Sequence, residues 1–128
     1  MCCGVAQNSY QTLDSMRIVF ADGTVLDTAD NASRSNFKRT HGYILESLKR
    51  IRDRVHKNSQ LVERIRYKYK IKNTTGYSLN ALIDFEDPFE IISHLMIGSE
   101  GTLGFISNAV LNTVVEHPHK ASAFILYP

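Results

Sequence analysis

Three glycines, Gly98, Gly101 and Gly104, fall three residues apart in residues 96–106, which read M-I-G-S-E-G-T-L-G-F-I. They separate an apolar run ending at Ile97 from a β-favouring run beginning at Phe105. Glycine has no Cβ, so such spacing marks a place where backbone must come close to something. That something is either a neighbouring strand or a bound cofactor whose phosphate oxygens or ring edges consecutive N–H groups can reach. The stretch is not a dinucleotide fingerprint, because it precedes a strand instead of opening a helix. Taken by itself, a tight helix-to-strand connection is the simpler reading.

Other residues with chemical potential are sparse. Of the five histidines, His117 and His119 form the one close pair. In a strand that spacing turns both rings to one face, as a metal needs, but Pro118 disfavours a regular strand and no third ligand is evident. Cys2 and Cys3 are adjacent, a strained arrangement for a disulfide, and no C-x-x-C or histidine pattern surrounds them. No Ser-His-acid or Cys-His arrangement is legible, and Ser99-Glu100 has no paired base. Between residues 49 and 72, ten basic residues stand against two acids, Asp53 and Glu63, with Tyr43, Tyr67 and Tyr69 in or beside the segment. Such a segment is either a nucleic-acid surface, with phosphates on the cations and bases on the rings, or the solvated face of helices whose tyrosines turn inward. The solvated face is the expectation.

These residues must be held in place by a fold. A chain of 128 residues with 43% apolar and 22% charged residues is the size and composition of one globular domain. No window approaches the roughly 20 apolar residues of a membrane span, and the start M-C-C-G-V-A-Q-N-S-Y lacks the charged residues and apolar core of a signal peptide. A cytoplasmic, reducing setting is therefore expected.

Residues 1–12 have no periodicity and read as a loop. Residues 13–21 alternate, with Met16, Ile18 and Phe20 on one face, and Asp22-Gly23 ahead of Thr24-Val25-Leu26 predicts a hairpin with a type I′ turn. Thr28 or Asp30 caps a short helix reaching Phe37 and Lys38. After Gly42, the residues Ile44, Leu48, Ile51 and Val55, widened by Leu45, make the apolar stripe of a helix whose outer face carries Lys49, Arg50, Arg52, Asp53 and Arg54. Asn58-Ser59 caps a further helix through Leu61, Val62 and Ile65, residues 67–72 alternate as a short strand or extended segment, and residues 77–85 form a short apolar turn or helix. Asp87-Pro88 starts a helix that buries Phe89, Ile92, Leu95 and Met96 and stops at Gly98. Residues 102–115 predict a long strand and residues 121–126 a last one. The sum is an α+β domain, an antiparallel β-sheet flanked by helices.

Two stretches carry a family resemblance. Lys72-Asn73-Thr74-Thr75-Gly76-Tyr77-Ser78-Leu79 and Gly98-Ser99-Glu100-Gly101-Thr102-Leu103-Gly104-Phe105-Ile106 closely resemble the K-N-T-x-G-Y-x-L and G-S-E-G-T-L-G-I-I pair of FAD-linked oxidases. These belong to the vanillyl-alcohol oxidase superfamily, in the branch of D-lactate and D-2-hydroxyacid dehydrogenases. Met1-Cys2-Cys3-Gly4 with Asn8-Ser9-Tyr10, followed by Ala21-Asp22-Gly23-Thr24-Val25-Leu26, is also similar to that branch, where a flavin loop N-x-S-G-M precedes a hairpin reading A-D-G-x-x-L. The likeness runs over essentially the whole chain.

The resemblance implies that residues 1–128 are the second subdomain of a PCMH-type FAD-binding domain, with residues from about 117 leading toward a substrate or cap domain. It makes Ser99, Glu100, Gly101, Thr102, Leu103, Gly104, Phe105 and Ile106 candidates for largely main-chain contacts to FAD, and Met1, Cys2, Cys3 and Gly4 candidates for the end of a second FAD loop. Phe105 stands where the family more commonly has Ile. The implied partners are a first FAD-binding subdomain with a glycine-rich pyrophosphate loop, a cap domain that supplies the catalytic side chains, and a small 2-hydroxy acid in the intact protein. Nucleic acid and a transmembrane segment are not among them. The implied function is the FAD-binding portion of a D-2-hydroxyacid dehydrogenase, inactive alone, in the cytoplasm or peripheral to the inner membrane through the intact enzyme. Two alternatives stand beside it: a basic nucleic-acid-binding module, and a non-catalytic remnant that docks to a partner subunit.

Overall fold

The computed structural model of the chain describes residues 7–71, 75–113, 115, 118–119 and 121–126. Where a loop is expected, Asn8 opens one helical turn, α1 (Ser9–Thr12), by accepting the Gln11 N–H on its side chain. Strands β1 (Leu13–Val19) and β2 (Val25–Asp27) then form the expected antiparallel hairpin, with Ile18 opposite Leu26. Its connection is not type I′. Gly23 sits at φ +83 while Ala21 and Asp22 do not have positive φ, and the Gly23 N–H donates to Phe20 O as the Phe20 N–H donates to Thr24 O. That is a three-residue loop, which needs one left-handed residue instead of two. Asp22, spared that conformation, accepts both the N–H and the hydroxyl of Thr24 on its carboxylate.

Asp30, not Thr28, caps the next helix, taking the Ala32 and Ser33 N–H groups. The two helices expected on either side of Gly42 meet at His41, whose backbone is non-helical (φ −124, ψ 25), and together make up the kinked α2 (Asn31–His56). A glycine next to the break and the His41 imidazole held by Asp22 at 2.9 Å account for the kink. The buried stripe of α2 runs through Phe37, Leu45 and Val55, with Ile44 and Leu48 half-covered. Ile51 is 44% exposed. Arg52, expected on the outer face, turns inward instead, its Nε donating to Phe85 O at 3.0 Å. The Phe85 carbonyl thereby gains a donor where it is partly buried.

Helix α3 (Ser59–Lys68), capped by Asn58, continues through Tyr67 and Lys68, so the alternating segment is not a strand. Ile65 and Tyr69, four residues apart, both pack inward there. After α4 (Ala81–Asp84) comes α5 (Pro88–Met96), which begins as its sequence predicts, with Asp87 accepting the Phe89 N–H and Pro88 in the first turn. Asp87 is also paired with Arg34 of α2. Strand β3 (Phe105–Leu111) is shorter than expected and pairs antiparallel with β1, giving the order β2-β1-β3. Residues 121–126 form no strand; Phe124, Ile125 and Leu126 are exposed.

The chain is thus α+β, with a three-stranded antiparallel sheet and several helices. One core cluster lies between the sheet and α2 and α5, built from Met16, Ile18, Leu26, Phe37, Leu45, Phe89, Ile92 and Met96. A second, around Val55, Val62, Ile65, Ala81, Leu82 and Ile91, joins α3 and α4 to α2 and α5, with Leu48 touching both. All seven residues of β3 are exposed, so the helical layer stops short of that strand. Among the described residues, no helix is long and apolar enough to cross a membrane.

Candidate functional site

Two successive reverse turns carry the chain from α5 to β3. In the first, Ile97 is extended (φ −71, ψ 117), Gly98 is left-handed (φ +82), and the Ser99 N–H donates to Met96 O at 3.1 Å, which is a type II turn. In the second, Glu100 (φ +52) and Gly101 (φ +78) are both left-handed and the Thr102 N–H donates to Ser99 O at 3.0 Å, which is type I′. Among the described residues Glu100 is the one non-glycine residue with positive φ, a conformation that costs about 1–2 kcal/mol. The Thr102 hydroxyl donates to the same Ser99 carbonyl and helps hold the turn closed.

The glycine spacing resolves into separate roles. A Cβ on Gly98 would lie 3.2 Å from Gly76 O, and one on Gly104 would lie 3.1 Å from Val19 O, 3.2 Å from Ile18 Cγ2 and 3.3 Å from Met96 Cε. Both are close approaches within the protein, Gly104 against β1 and Gly98 against the segment that holds the other motif. A Cβ on Gly101 would meet nothing within 4 Å. Gly101 is required for its φ, and its surface is open.

The two motifs that stand about twenty residues apart in the chain meet here. Ser78 Oγ donates to Ile97 O at 3.0 Å, and Tyr77 Oη lies 2.9 Å from Thr102 Oγ1. Because the Thr102 hydroxyl proton is committed to Ser99 O, Tyr77 is the donor of that pair. Behind them stands Tyr69, expected only as a tyrosine of the basic segment and not at the glycine turns. Its hydroxyl donates to Tyr77 O at 2.7 Å and accepts the Leu79 N–H at 3.0 Å, stapling the 77–79 segment to the end of α3. The signal in the sequence was its spacing of four from buried Ile65, which turns the ring inward and leaves the hydroxyl at the rim.

Beside the turns lies a cleft of about 580 Å³, lined on one side by Ile97, Gly98, Ser99, Glu100 and Gly101 and on the other by Leu13, Met16, Ile106, Ala109 and Leu111, with Gly104 and Phe105 at its end. Of the residues expected to contact a cofactor, Ser99 is buried, Glu100, Gly101, Thr102, Leu103, Phe105 and Ile106 are exposed, and Gly104 is half-buried. All but Thr102 and Leu103 line the cleft. Met1, Cys2, Cys3 and Gly4 lie outside the described residues, as do Lys72, Asn73 and Thr74 of the first motif and His117 of the histidine pair. Among the described residues, the N–H groups of Glu100, Gly101, Leu103 and Gly104 make no backbone hydrogen bond. An apolar floor with the main-chain donors of Glu100, Gly101 and Gly104 beside it suits a flat ring system with polar edges, and the open Cβ direction of Gly101 leaves room for it. In these respects the residues fit a flavin.

Two polar clusters lie elsewhere. At the kink of α2, the Asp22 carboxylate, held by the Thr24 N–H and by His41, is pulled down from its ordinary 3.8 to about 2. His41 also meets the Thr40 hydroxyl at 2.8 Å and stacks on Phe37. In the second cluster, burial pushes the Tyr10 hydroxyl well above its usual range, reinforced by its 2.8 Å hydrogen bond to Asp84, while buried His94 stacks on Phe85 with Nδ1 at 2.8 Å from Glu90 O. Both tie secondary-structure elements together: Asp22 and His41 join the hairpin to α2, and Tyr10 joins α1 to α4 and α5. Among the described residues, no group of three or more His, Cys, Asp or Glu side chains is placed to hold a metal ion.

No family model, curated protein or solved structure matches the chain.

Proposed function

We propose that this chain is the FAD-contacting part of an FAD-dependent oxidoreductase of the D-2-hydroxyacid dehydrogenase branch, one that oxidises a D-2-hydroxy acid such as D-lactate and is inactive as the isolated subdomain. The observation that supports this most is the meeting of the two resembling stretches, Gly76-Tyr77-Ser78 against residues 97–102, through the Ser78 and Tyr77 hydrogen bonds and the Gly98 approach. Two stretches chosen for their likeness to one family are thus brought together by the fold beside the cleft.

In this reading the chain binds and orients. Ile97–Gly101 and Gly104–Phe105 form one wall of the cofactor site, with the N–H groups of Glu100, Gly101 and Gly104 as donors and Leu13, Met16, Ile106, Ala109 and Leu111 excluding water from an apolar face. A bound flavin supplies the two-electron acceptance that amino-acid side chains lack. The base that takes the substrate hydroxyl proton and the substrate-binding side chains belong to the cap domain, and the opposite cofactor wall to the first subdomain. The apolar strand β3, exposed along its length, is where such neighbours would cover this chain. We place the protein in the cytoplasm, where Cys2 and Cys3 stay reduced.

The test is to join the chain to the first subdomain of a D-lactate dehydrogenase of this branch and measure flavin uptake. The expected result is a yellow protein with flavin absorbance that survives gel filtration, lost on Gly101→Val. A folded hybrid that takes up no FAD would overturn the reading. It would favour a remnant that uses the bare strand only to dock to a partner subunit.

A further inference from the structure

The basic segment leaves a concentration of charge that nothing in the described structure neutralises. Arg54 and Lys57 at the end of α2, and Arg64, Arg66, Lys68 and Lys70 on α3 and the turn after it, are all exposed. The ion pairs of the described residues involve Arg17, Arg34, His41, Arg52 and His94 and none of these six. A cation at a surface usually recovers some energy from a neighbouring carboxylate. Here the two acids of the segment, Asp53 and Glu63, form no ion pair with any of them.

One side chain among these cations is of a different kind. Tyr67 is 76% exposed, although the tyrosines of the segment are expected to turn inward, as Tyr69 does. It lines a groove of about 580 Å³ together with Gln60, Glu63, Arg64, Arg66 and Lys70. Arg64 stands one turn before Tyr67 on α3 and Lys70 in the turn that follows the helix, and both line the groove with its ring. An exposed aromatic ring between unpaired cations is the combination that grips a single-stranded nucleic acid: cations on successive phosphates and a base stacked on the ring, with little regard to sequence. An acidic protein surface would use the cations but give the exposed ring no task, and an anionic membrane would need more apolar surface than one tyrosine offers.

We propose that the groove of Arg64, Arg66, Tyr67 and Lys70, with the exposed Lys68 beside it, binds single-stranded nucleic acid. The residues of this groove and those of the cleft beside the glycine turns do not overlap, so the proposal stands or falls apart from flavin binding.

The experiment uses the full chain and a fluorescein-labelled twelve-residue oligothymidylate, with binding followed by anisotropy as salt is raised from about 50 to 300 mM, and heparin as a polyanion without bases. Binding at low salt with a slope of log K against log[salt] near −3 is expected, about −0.7 for each of four phosphates neutralised. Tyr67→Ala should weaken oligothymidylate binding by roughly 5- to 150-fold, the worth of one stacked base, with little change in salt slope and none in heparin affinity. The combined Arg64→Gln, Arg66→Gln, Lys70→Gln variant should flatten the slope by about 2. All four positions are exposed, and circular dichroism checks that each variant is folded. No binding at 50 mM salt, an unchanged affinity in Tyr67→Ala, an equal loss for heparin, or tighter capture by phosphatidylserine vesicles or an acidic peptide would each overturn the proposal.

Discussion

Gly104→Ala separates a glycine needed for close approach from one needed for its backbone angle. Gly104 does not have positive φ, so alanine is permitted there by conformation. What alanine lacks is room: its Cβ would press on Val19 O at 3.1 Å, Ile18 Cγ2 at 3.2 Å and Met96 Cε at 3.3 Å. Val19 lies in the ladder opposite Phe105 and cannot yield without moving the β1–β3 pairing, and Ile18 and Met96 are both buried in the sheet-side core. An added methyl forced into packed surroundings costs about 1–3 kcal/mol. Against this, alanine restricts the unfolded chain and returns about 0.4–1 kcal/mol. The net expectation is a loss of about 1–2 kcal/mol, which at this chain length lowers the thermal midpoint by roughly 3–10 °C.

A cycle with Met96→Leu tests the mechanism as well as the sign. Leucine has no atom equivalent to Cε, so Gly104→Ala should be less damaging in the Met96→Leu background, by about 0.5 kcal/mol or more of coupling, read from urea midpoints of the four proteins. If Gly104→Ala melts at or above the wild-type temperature, or if the two substitutions are additive, the account of Gly104 as a contact between β3 and its neighbours is wrong.

Three further outcomes are expected. Tyr69→Phe keeps the ring in the core and removes a hydroxyl that holds Tyr77 O and Leu79 N–H; it should cost about 1 kcal/mol and speed amide exchange at residues 77–79 and 98–102 while α5 stays protected, and unchanged exchange there would dismiss Tyr69 as the staple. Asp22 has its folded value depressed from 3.8 to about 2, so the stability it contributes is present above its ordinary value and is lost as pH falls through the folded one; urea midpoints of wild type and Asp22→Asn should therefore differ at pH 5 and converge toward pH 2, and a constant gap across that window would refute the assignment. Ile91→Ala, at a fully buried position that ties α5 to the α3–α4 cluster, should cost about 2–5 kcal/mol by urea denaturation, and a loss below about 1 kcal/mol would mean that the second cluster is not packed as described.

Legibility in the sequence followed how local the physics was. Asp87-Pro88, Asn58-Ser59 and the alternation through Met16 and Ile18 each settle their element within a few residues, and α5, α3 and β1 begin or face as those signals predict. The inward turn of Arg52 did not follow from the helix itself. The apolar stripe through Leu45 and Val55 is buried as expected, and the turn of Arg52 depends on the carbonyl of Phe85, 33 residues away. The alternation that begins at Tyr67 resembled a strand because Tyr67 and Tyr69 also fit a period of two; the spacing of four from Ile65 to Tyr69, which the fold uses, competes with it over too few residues to decide. Residues 121–126 have β-favouring composition but no strand beside them, and composition cannot supply a ladder.

The site shows the same division at closer range. Three glycines in a row of threes look like one signal, yet the geometry splits them: Gly98 answers to Gly76, Gly104 to Val19, and Gly101 to its own φ. Spacing could announce that backbone comes close without saying to what, because two of the three partners lie in other segments of the chain. The type I′ turn illustrates the converse. Asp22-Gly23 carries the sequence signal for it, but the twist of that hairpin is met by one left-handed glycine, whereas Glu100-Gly101 adopts the turn although glutamate disfavours it. The strain is therefore held at the turn that joins α5 to β3, beside the cleft, and not in the hairpin that a generic turn would serve. A residue kept at positive φ without being glycine is over-determined by its surroundings, here the doubled bond to Ser99 O and the Tyr77 hydroxyl on Thr102. Backbone held that firmly, with the N–H groups of Glu100, Gly101 and Gly104 beside the cleft uncommitted to backbone partners among the described residues, is what the proposed main-chain contacts to FAD would draw on.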